Sequence, residues 1–431
     1  MKKVFLLFFG IIISISLFAG RDVVFSIKSG GADIYYSLDI DSIKNDGTSI
    51  SLYEKDIQIS SYNLSEIGNI SFGEYIDDDD VTAFSADTII TITFKSASVG
   101  FTYKNKEGET VVPVGVTCSY EKKSIGEQDY LLVKIVSSSK NIGYVLTGGT
   151  SQRYGGVTMY SDSKCKLTIN KLKLLNENAP AINIQTSKRT FVEIGEGDNI
   201  IADKGIYPIE GDVSMKAAFF SEGELIFNGA EGDSLTINGD VKHGLASDDY
   251  VNIYSGKLIV NTASPVDTIK GDGIKVKDKF LMQGGEVKVK AKGDGIDCTE
   301  GYVRIIDGNL NVISGAKGIK SSYDPAEAIA EGKKPDYDID PYILIDGGTI
   351  SIKTGVDAVD EKKAHGLKAN SNVTINGGDI TIYANNVSKS DGVNVGGLFY
   401  MNGGVVECYP SRNCYDTSIF VQKGGTFNCN K

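Results

Sequence analysis

Residues 284–312 read GGEVKVKAKGDGIDCTEGYVRIIDGNLNV and contain both elements from which much of the chain is built. The stretch opens and closes on a turn doublet followed by alternating apolar positions, GGEVKV and DGNLNV. The same element recurs as SGKLIV from 255, GGTISI from 347, GGDITI from 377, GGVVEC from 403 and GGTFNC from 424. Its second residues, Gly256, Gly285, Gly308, Gly348, Gly378, Gly404 and Gly425, stand 29, 23, 40, 30, 26 and 21 residues apart. A period of this size marks a unit that cannot bury its apolar face alone and must stack on its neighbours, here as the coils of a parallel β-helix. The longest interval holds an insertion, residues 321–342, read as a polar side loop with one helical turn.

Strand side chains alternate between faces, so the pattern also says which ones point inward. Two and four residues after each marker stand Leu258 and Val260, Val287 and Val289, Leu310 and Val312, Ile350 and Ile352, Ile380 and Ile382, Val406 and Cys408, Phe427 and Cys429. Stacked coils turn these into two apolar columns, with Lys288, Asn311, Ser351 and Thr381 facing solvent. A sandwich of hairpins needs turn signals at shorter spacing. Cys408 and Cys429 fall in the same column, where a disulfide is geometrically conceivable and a role as small core fillers is the simpler reading.

The second element is x-Gly-aliphatic: KHGL at 242, GDGI at 271 and 293, AKGI at 316, AHGL at 364 and SDGV at 390. Its glycine is expected in a backbone conformation closed to other residues, turning the chain between faces.

Composition supports an all-β reading: 50 Gly, 8 Pro and no Trp among 431 residues. MKKVFLLFFGIIISISLFAG at 1–20 has the basic start, apolar run and small terminal residues of a secretory signal peptide. Exported, extracellular or cell-surface protein is therefore expected, with no membrane span after signal removal. Residues 21–76 read as a small β-rich region, 77–80 (DDDD) as an acidic linker, 81–145 as a β-rich lead-in, and 146–431 as the parallel β-helix. A net charge of −12 makes nucleic acid and anionic membranes poor partners. An acidic polysaccharide would also be repelled unless something cationic, such as a metal ion, stood between. The six cysteines lack the spacing of a zinc site, and two histidines are too few for a His-rich one.

The residue before each turn glycine projects at one place on successive coils: His243, Asp272, Asp294, Lys317, His365 and Asp391. Three positions later the series runs Ala246, Lys275, Asp297, Lys320, Lys368, Asn394. Asp272, Asp294 and Asp297 thus form an oxygen-rich cluster, and Asp248 and Asp249 are placed to reach the same edge. Stacked carboxylates must protonate, pair with cations or bind a metal, and Ca2+ accepts such oxygen ligands with loose geometry. An ion-pair ladder through Lys275, Lys317 and Lys320 accounts for the spacing equally well. His243 and His365 read as hydrogen-bonded structural residues.

The ordered series YVLTGGTS (144), APAINIQ (179), FFSEGELIFNG (219), KHGLASDDYVNI (242), GDGIDCTEGYVRI (293), GIKSSY (318) and DPYILIDGGTISI (340) resembles the bacterial carbohydrate-binding proteins related to a clostridial cellulose- and pectin-binding β-helix protein. The resemblance implies a right-handed single-stranded parallel β-helix, shaped like the calcium-dependent pectate lyases, with bound calcium and affinity for cellulose or acidic pectic chains. Matched onto that pattern, Asp272, Asp294 and Asp297, with Asp248 and Asp249, are the implied metal ligands. Lys317 stands where the pattern carries an acid.

The expected function is a secreted, non-catalytic carbohydrate-binding protein whose calcium bridges protein aspartates to uronate carboxylates, with Tyr250, Tyr302 and Tyr323 stacking on sugars. The enzymatic alternative is a polysaccharide lyase using Lys317 or Lys320 as base, and a third reading is a surface spacer or adhesin.

Overall fold

The computed structural model describes residues 23–29, 32–38, 42–54, 57–74, 84–208, 213–263, 271–330, 332–358 and 363–431. The expected signal segment and the acidic linker lie outside them. The chain divides into two units at residue 82, with residues 336–339 falling in the first. That unit holds two three-stranded antiparallel sheets, ordered 32–38, 23–29, 67–74 and 42–45, 49–54, 57–63. It is a small all-β region, as its unperiodic alternation predicts.

In the larger unit each coil contributes one strand to each of three faces. A representative coil runs Ile274–Val276 on face C, Lys279–Met282 on face A and Glu286–Ala291 on face B, before Ile296–Cys298 returns to face C. Each strand pairs in parallel with its equivalent one coil on: Ile274 with Ile296, Phe280 with Val303, Val287 with Leu310. The architecture is a parallel β-helix.

Register on face B matches the sequence columns residue for residue. Leu258, Val287, Leu310, Ile350, Ile380, Val406 and Phe427 pair in series, and so do Val260, Val289, Val312, Ile352, Ile382, Cys408 and Cys429. From Leu258 to Cys408 these side chains are buried. Faces A and C supply matching columns, Val251–Phe280–Val303–Ile343–Val373–Phe399 and Leu245–Ile274–Ile296–Ile319–Leu367–Val393. Burying each such side chain stabilises the stack by roughly 1.5–3 kcal/mol.

The stack starts earlier than residue 146. Strand Thr88–Phe94 pairs in parallel with Ile142–Thr147, and Gln128–Ser137 with Gln152–Ser161. The lead-in is therefore already part of the helix. Its period is hidden because antiparallel strands, Val99–Asn105 and Val116–Ile125, interrupt the coil and cover the first edges of faces A and C. At the other end Phe399, Tyr415, Phe420 and Phe427 close the interior. Cys429 is disulfide-bonded to Cys414, not to Cys408, which stays a buried free thiol. Among the described residues no helix is long and apolar enough to cross a membrane.

Two kinds of glycine build the turns, and one of them differs from expectation. The doublet glycines are left-handed, with φ of 78° at Gly285 and 104° at Gly308. The x-Gly-aliphatic glycines are not. Gly295 is excluded from carrying a side chain by packing: a Cβ there would collide with Val312 Cγ1 and sit 2.6 Å from the Gly318 carbonyl oxygen of the next coil. Sequence shows glycine in both cases and cannot separate backbone angle from crowding. Gly295→Ala is expected to cost about 1–3 kcal/mol through overpacking, read as a lowered urea midpoint, while Gly126→Ala, whose Cβ meets nothing within 4 Å, costs only the left-handed penalty of about 1–2 kcal/mol.

Candidate functional site

Face C carries the chemistry, and its polar column begins with a hydrogen-bond problem. Where the chain turns from face B into face C, a backbone N–H on each coil needs an acceptor from the coil before. The side chain before the turn glycine provides it. Asp272 N–H donates to His243 Nδ1 at 3.0 Å, Asp294 N–H to Asp272 Oδ1 at 2.8 Å, and Lys317 N–H to Asp294 Oδ1 at 2.8 Å. Further along, Asp391 N–H donates to His365 Nδ1 at 3.1 Å and Asn413 N–H to Asp391 Oδ1 at 3.2 Å. Short acceptors at this position are thus structural, and both histidines must be neutral at Nδ1 to serve.

Burial, the largest effect, drives His243 down to about 3 and His365 down to about 4, with nearby lysines adding to it. Each therefore holds its acceptor lone pair at neutral pH.

Asp272, Asp294 and Asp297 come together as expected, each offering an oxygen within 4.8 Å of the others. All three are buried. Lysine ammonium groups share the cluster. Lys275 Nζ lies 2.7 Å from Asp297 Oδ2 and 3.4 Å from Asp272 Oδ2; Lys320 Nζ lies 3.0 Å from Asp297 Oδ1 and 3.8 Å from Asp294 Oδ2. Lys317 Nζ is 3.9 Å from Asp294 Oδ1. The Lys320 contact to Asp297 Oδ1 is coulombic, because that oxygen has no aligned hydrogen bond.

Protonation follows from this crowding. Burial, reinforced by the neighbouring carboxylates, raises Asp272. Burial also raises Asp294, against the pull of Lys317 and Lys320. For Asp297 burial is outweighed by Lys275 and Lys320, so it stays ionised below its ordinary range. Burial likewise fails to lower Lys275 and Lys320, because the aspartates hold both protonated.

Asp248 and Asp249 do not join the cluster. Register sets Ala246 opposite Lys275, so Asp248 sits opposite Lys277, five positions along the strand from the His243–Asp272 column, or roughly 16 Å. Asp248 pairs with Lys216 at 2.6 Å. Asp249 is half-buried near Glu224 and Asp278, and desolvation with those charges raises it to about 6.

Two adjoining cavities open beside this column. The first, about 620 Å³, is lined among the described residues by five lysines (216, 242, 275, 277 and 333) and two carboxylates, Asp248 and Glu300. The second, about 430 Å³, shares Lys275, Thr299, Glu300 and Lys333 and adds Tyr323, Asp324 and Glu327. Its wall is the insertion, whose single short helix is Pro325–Ala330. Exposed Lys242 has no ion-pair partner among the described residues, whereas Lys216 and Lys277 face Asp248 and Glu300.

Residues 132–414, about two thirds of the chain, match the family described as carbohydrate-binding domain-containing protein. The chain belongs to this carbohydrate-binding domain family. Among solved structures, the polysaccharide lyase-like protein from C. thermocellum is similar at 18% identity, with a TM-score of 0.42 over 79% of this chain and 99% of that one. No curated protein matches the chain.

Of the tyrosines expected to stack on sugar in this carbohydrate-binding domain, only Tyr323 lines a cavity on face C. Tyr250 and Tyr302 stand on face A, opposite one another across Lys279. Lys279 lies over the Tyr250 ring at 4.5 Å, and Tyr302 stacks on Tyr342 at 4.7 Å. Their rings are used by protein neighbours. The residues that sequence reasoning missed are Lys216, Lys242, Lys277 and Lys333. Lys242 stands in the KHGL turn already recognised, Lys277 in the turn between Ile274–Val276 and Lys279–Met282 that carries no glycine signal, and Lys333 in an insertion with no register.

The histidine acceptors of the carbohydrate-binding domain give a signed pH dependence. His365 ordinarily titrates at 6.5 and is lowered to about 4 in the fold. The unfolded chain therefore takes up the proton first, so the stabilisation is complete above about 6.5 and drains away as pH falls towards 4. His365→Gln keeps an acceptor that does not titrate. Wild type should lose on the order of 1–3 kcal/mol relative to this variant across that window, measured by urea unfolding at its two ends.

Proposed function

We propose that this protein is an exported, non-catalytic carbohydrate-binding protein that holds an acidic polysaccharide of the pectic kind against face C. The observation that carries the reading is the lysine-lined cavity on a chain of net charge −12. A cluster of ammonium groups on such a chain favours an anion locally although the chain as a whole repels it. Lys242 and Lys277 are exposed at the cavity and reach a uronate carboxylate as point charges. Tyr323, in the adjoining cavity, offers an apolar surface to a sugar ring. The cationic bridge between acidic protein and acidic ligand is then made by lysine, with no calcium in the binding step.

Binding is placed ahead of β-elimination. A general base must be unprotonated to abstract the uronate proton, and Lys320 is held as ammonium by Asp297 and Asp294. Lys317, the other base considered, faces Asp294.

The test is affinity electrophoresis of the secreted protein in gels containing polygalacturonate. Retardation is expected, undiminished by EDTA and weakened by added salt as ammonium–carboxylate contacts are screened. Replacing Lys242 and Lys277 together by Glu should weaken binding at least about tenfold, on the order of 1.4 kcal/mol. Retardation by neutral cellulose derivatives alone would sink the acidic-ligand reading, and release of unsaturated uronides would replace it with the lyase.

A further inference from the structure

We infer that Lys275 and Lys320 are the resident cations of the Asp272–Asp294–Asp297 cluster, built into the strand ladder at the place a divalent metal would otherwise occupy. The inference is independent of which glycan is bound.

The argument is an oxygen-by-oxygen account. Three carboxylates have six oxygens. Asp272 Oδ1 and Asp294 Oδ1 each accept a backbone N–H from the next coil. The other four, Asp272 Oδ2, Asp294 Oδ2 and both oxygens of Asp297, each have a lysine ammonium within 3.8 Å. Ca2+ requires six to eight oxygens at about 2.3–2.6 Å. Water and carbonyls can complete such a shell, but every carboxylate oxygen left over from the backbone faces an ammonium, so the ion would have to displace Lys275 and Lys320. The donor set does not fit calcium while the lysines are in place.

Strand register makes the arrangement a property of the fold. Lys275, Asp297 and Lys320 are direct neighbours on three successive strands, so the carboxylate lies between two ammonium groups one coil above and one below. Lys275 reaches back to Asp272 at the turn of its own strand and Lys320 reaches down to Asp294. Both side chains are partly buried, with 33% and 25% of their surface exposed, while the Asp297 side chain exposes 3%. An isolated buried carboxylate of this kind would be unstable without its cations.

Thermal unfolding and calcium titration of the full chain decide the matter. Wild type is expected to melt at the same temperature in EDTA and in excess calcium chloride, and to give no calcium-binding heat. Lys275→Met should melt lower in EDTA and recover part of that loss with calcium, because a cation place has been vacated beside Asp272 and Asp297. Lys275→Arg keeps the charge and should stay insensitive to calcium. Calcium-dependent melting or saturable calcium heat in wild type overturns the inference, and so does a Lys275→Met protein that melts like wild type in EDTA. Should Lys275→Met fail to fold, the wild-type titration still decides, and Asp297→Asn should melt lower than wild type without recovery by calcium.

Discussion

Parallel coils stacked in one register place each residue directly over its counterpart one coil away, about 4.8 Å distant. Every position must therefore be chemically compatible with itself. Inside, this is easily met, since Val on Leu on Ile buries without regard to order. Outside, it is a severe constraint for charged groups, because a column of aspartates would repel along its whole length. The structure meets it by pairing: Lys275, Asp297 and Lys320 alternate on face C, Lys368 on the coil after Lys320 bonds to Asn394 beyond it, and Asp391 beside His365 is bonded to the Arg412 guanidinium. The same rule explains the short acceptors before the turn glycine. A side chain at that place can accept the N–H of the coil above only if it is compact and carries an unprotonated lone pair, which Asp and neutral His both satisfy. Lys317 breaks the series, having no acceptor to offer.

Legibility in the sequence follows from the same constraint. Columns are readable wherever a turn doublet marks the strand, because a period of two counted from that marker fixes both the face and the neighbour whatever the interval between markers. Leu258 to Cys408 and the Asp272–Asp294–Asp297 group came out on that basis. Asp248 and Asp249 lie on the coil below but follow their strand, whereas Asp272 precedes its own, so they do not reach the acidic edge. The tyrosines failed for a related reason. Tyr250 and Tyr302 belong to face A, one turn of the chain away from the acidic edge. The cavity was beyond sequence reasoning because it depends on where an irregular insertion folds back, bringing Lys333 beside Lys275 and Glu300.

Glycine shows how one residue answers two physical demands. At Gly308 a left-handed backbone excludes a side chain, and at Gly295 the next coil's carbonyl does. At Gly308 crowding by the coil before adds to the backbone angle, whereas at Gly295 it acts alone, because the coils approach closely at the turn into face C. That close approach is also what brings the aspartates within reach of one another. The crowded turn and the charged cluster have a common origin, and relaxing the first would separate the members of the second.

A tethered ammonium and a diffusing metal ion answer the same charge imbalance with different consequences. A metal site stabilises a fold in proportion to the free ion around it, so its contribution rises and falls with the medium. Lysines carried on adjacent strands are present at a fixed ratio and are positioned by the ladder that creates the need for them. The compensation is bought with side-chain freedom, since two long chains must be held in place. It also changes what the edge can do. A calcium ion with open coordination sites can bridge directly to a ligand carboxylate, whereas Lys275 and Lys320, already committed to Asp297, cannot serve two anions equally. On the proposed reading, recognition passes to lysines outside the cluster, of which Lys242, Lys277 and Lys333 on the adjoining cavity wall are exposed, Lys277 facing Glu300 as well.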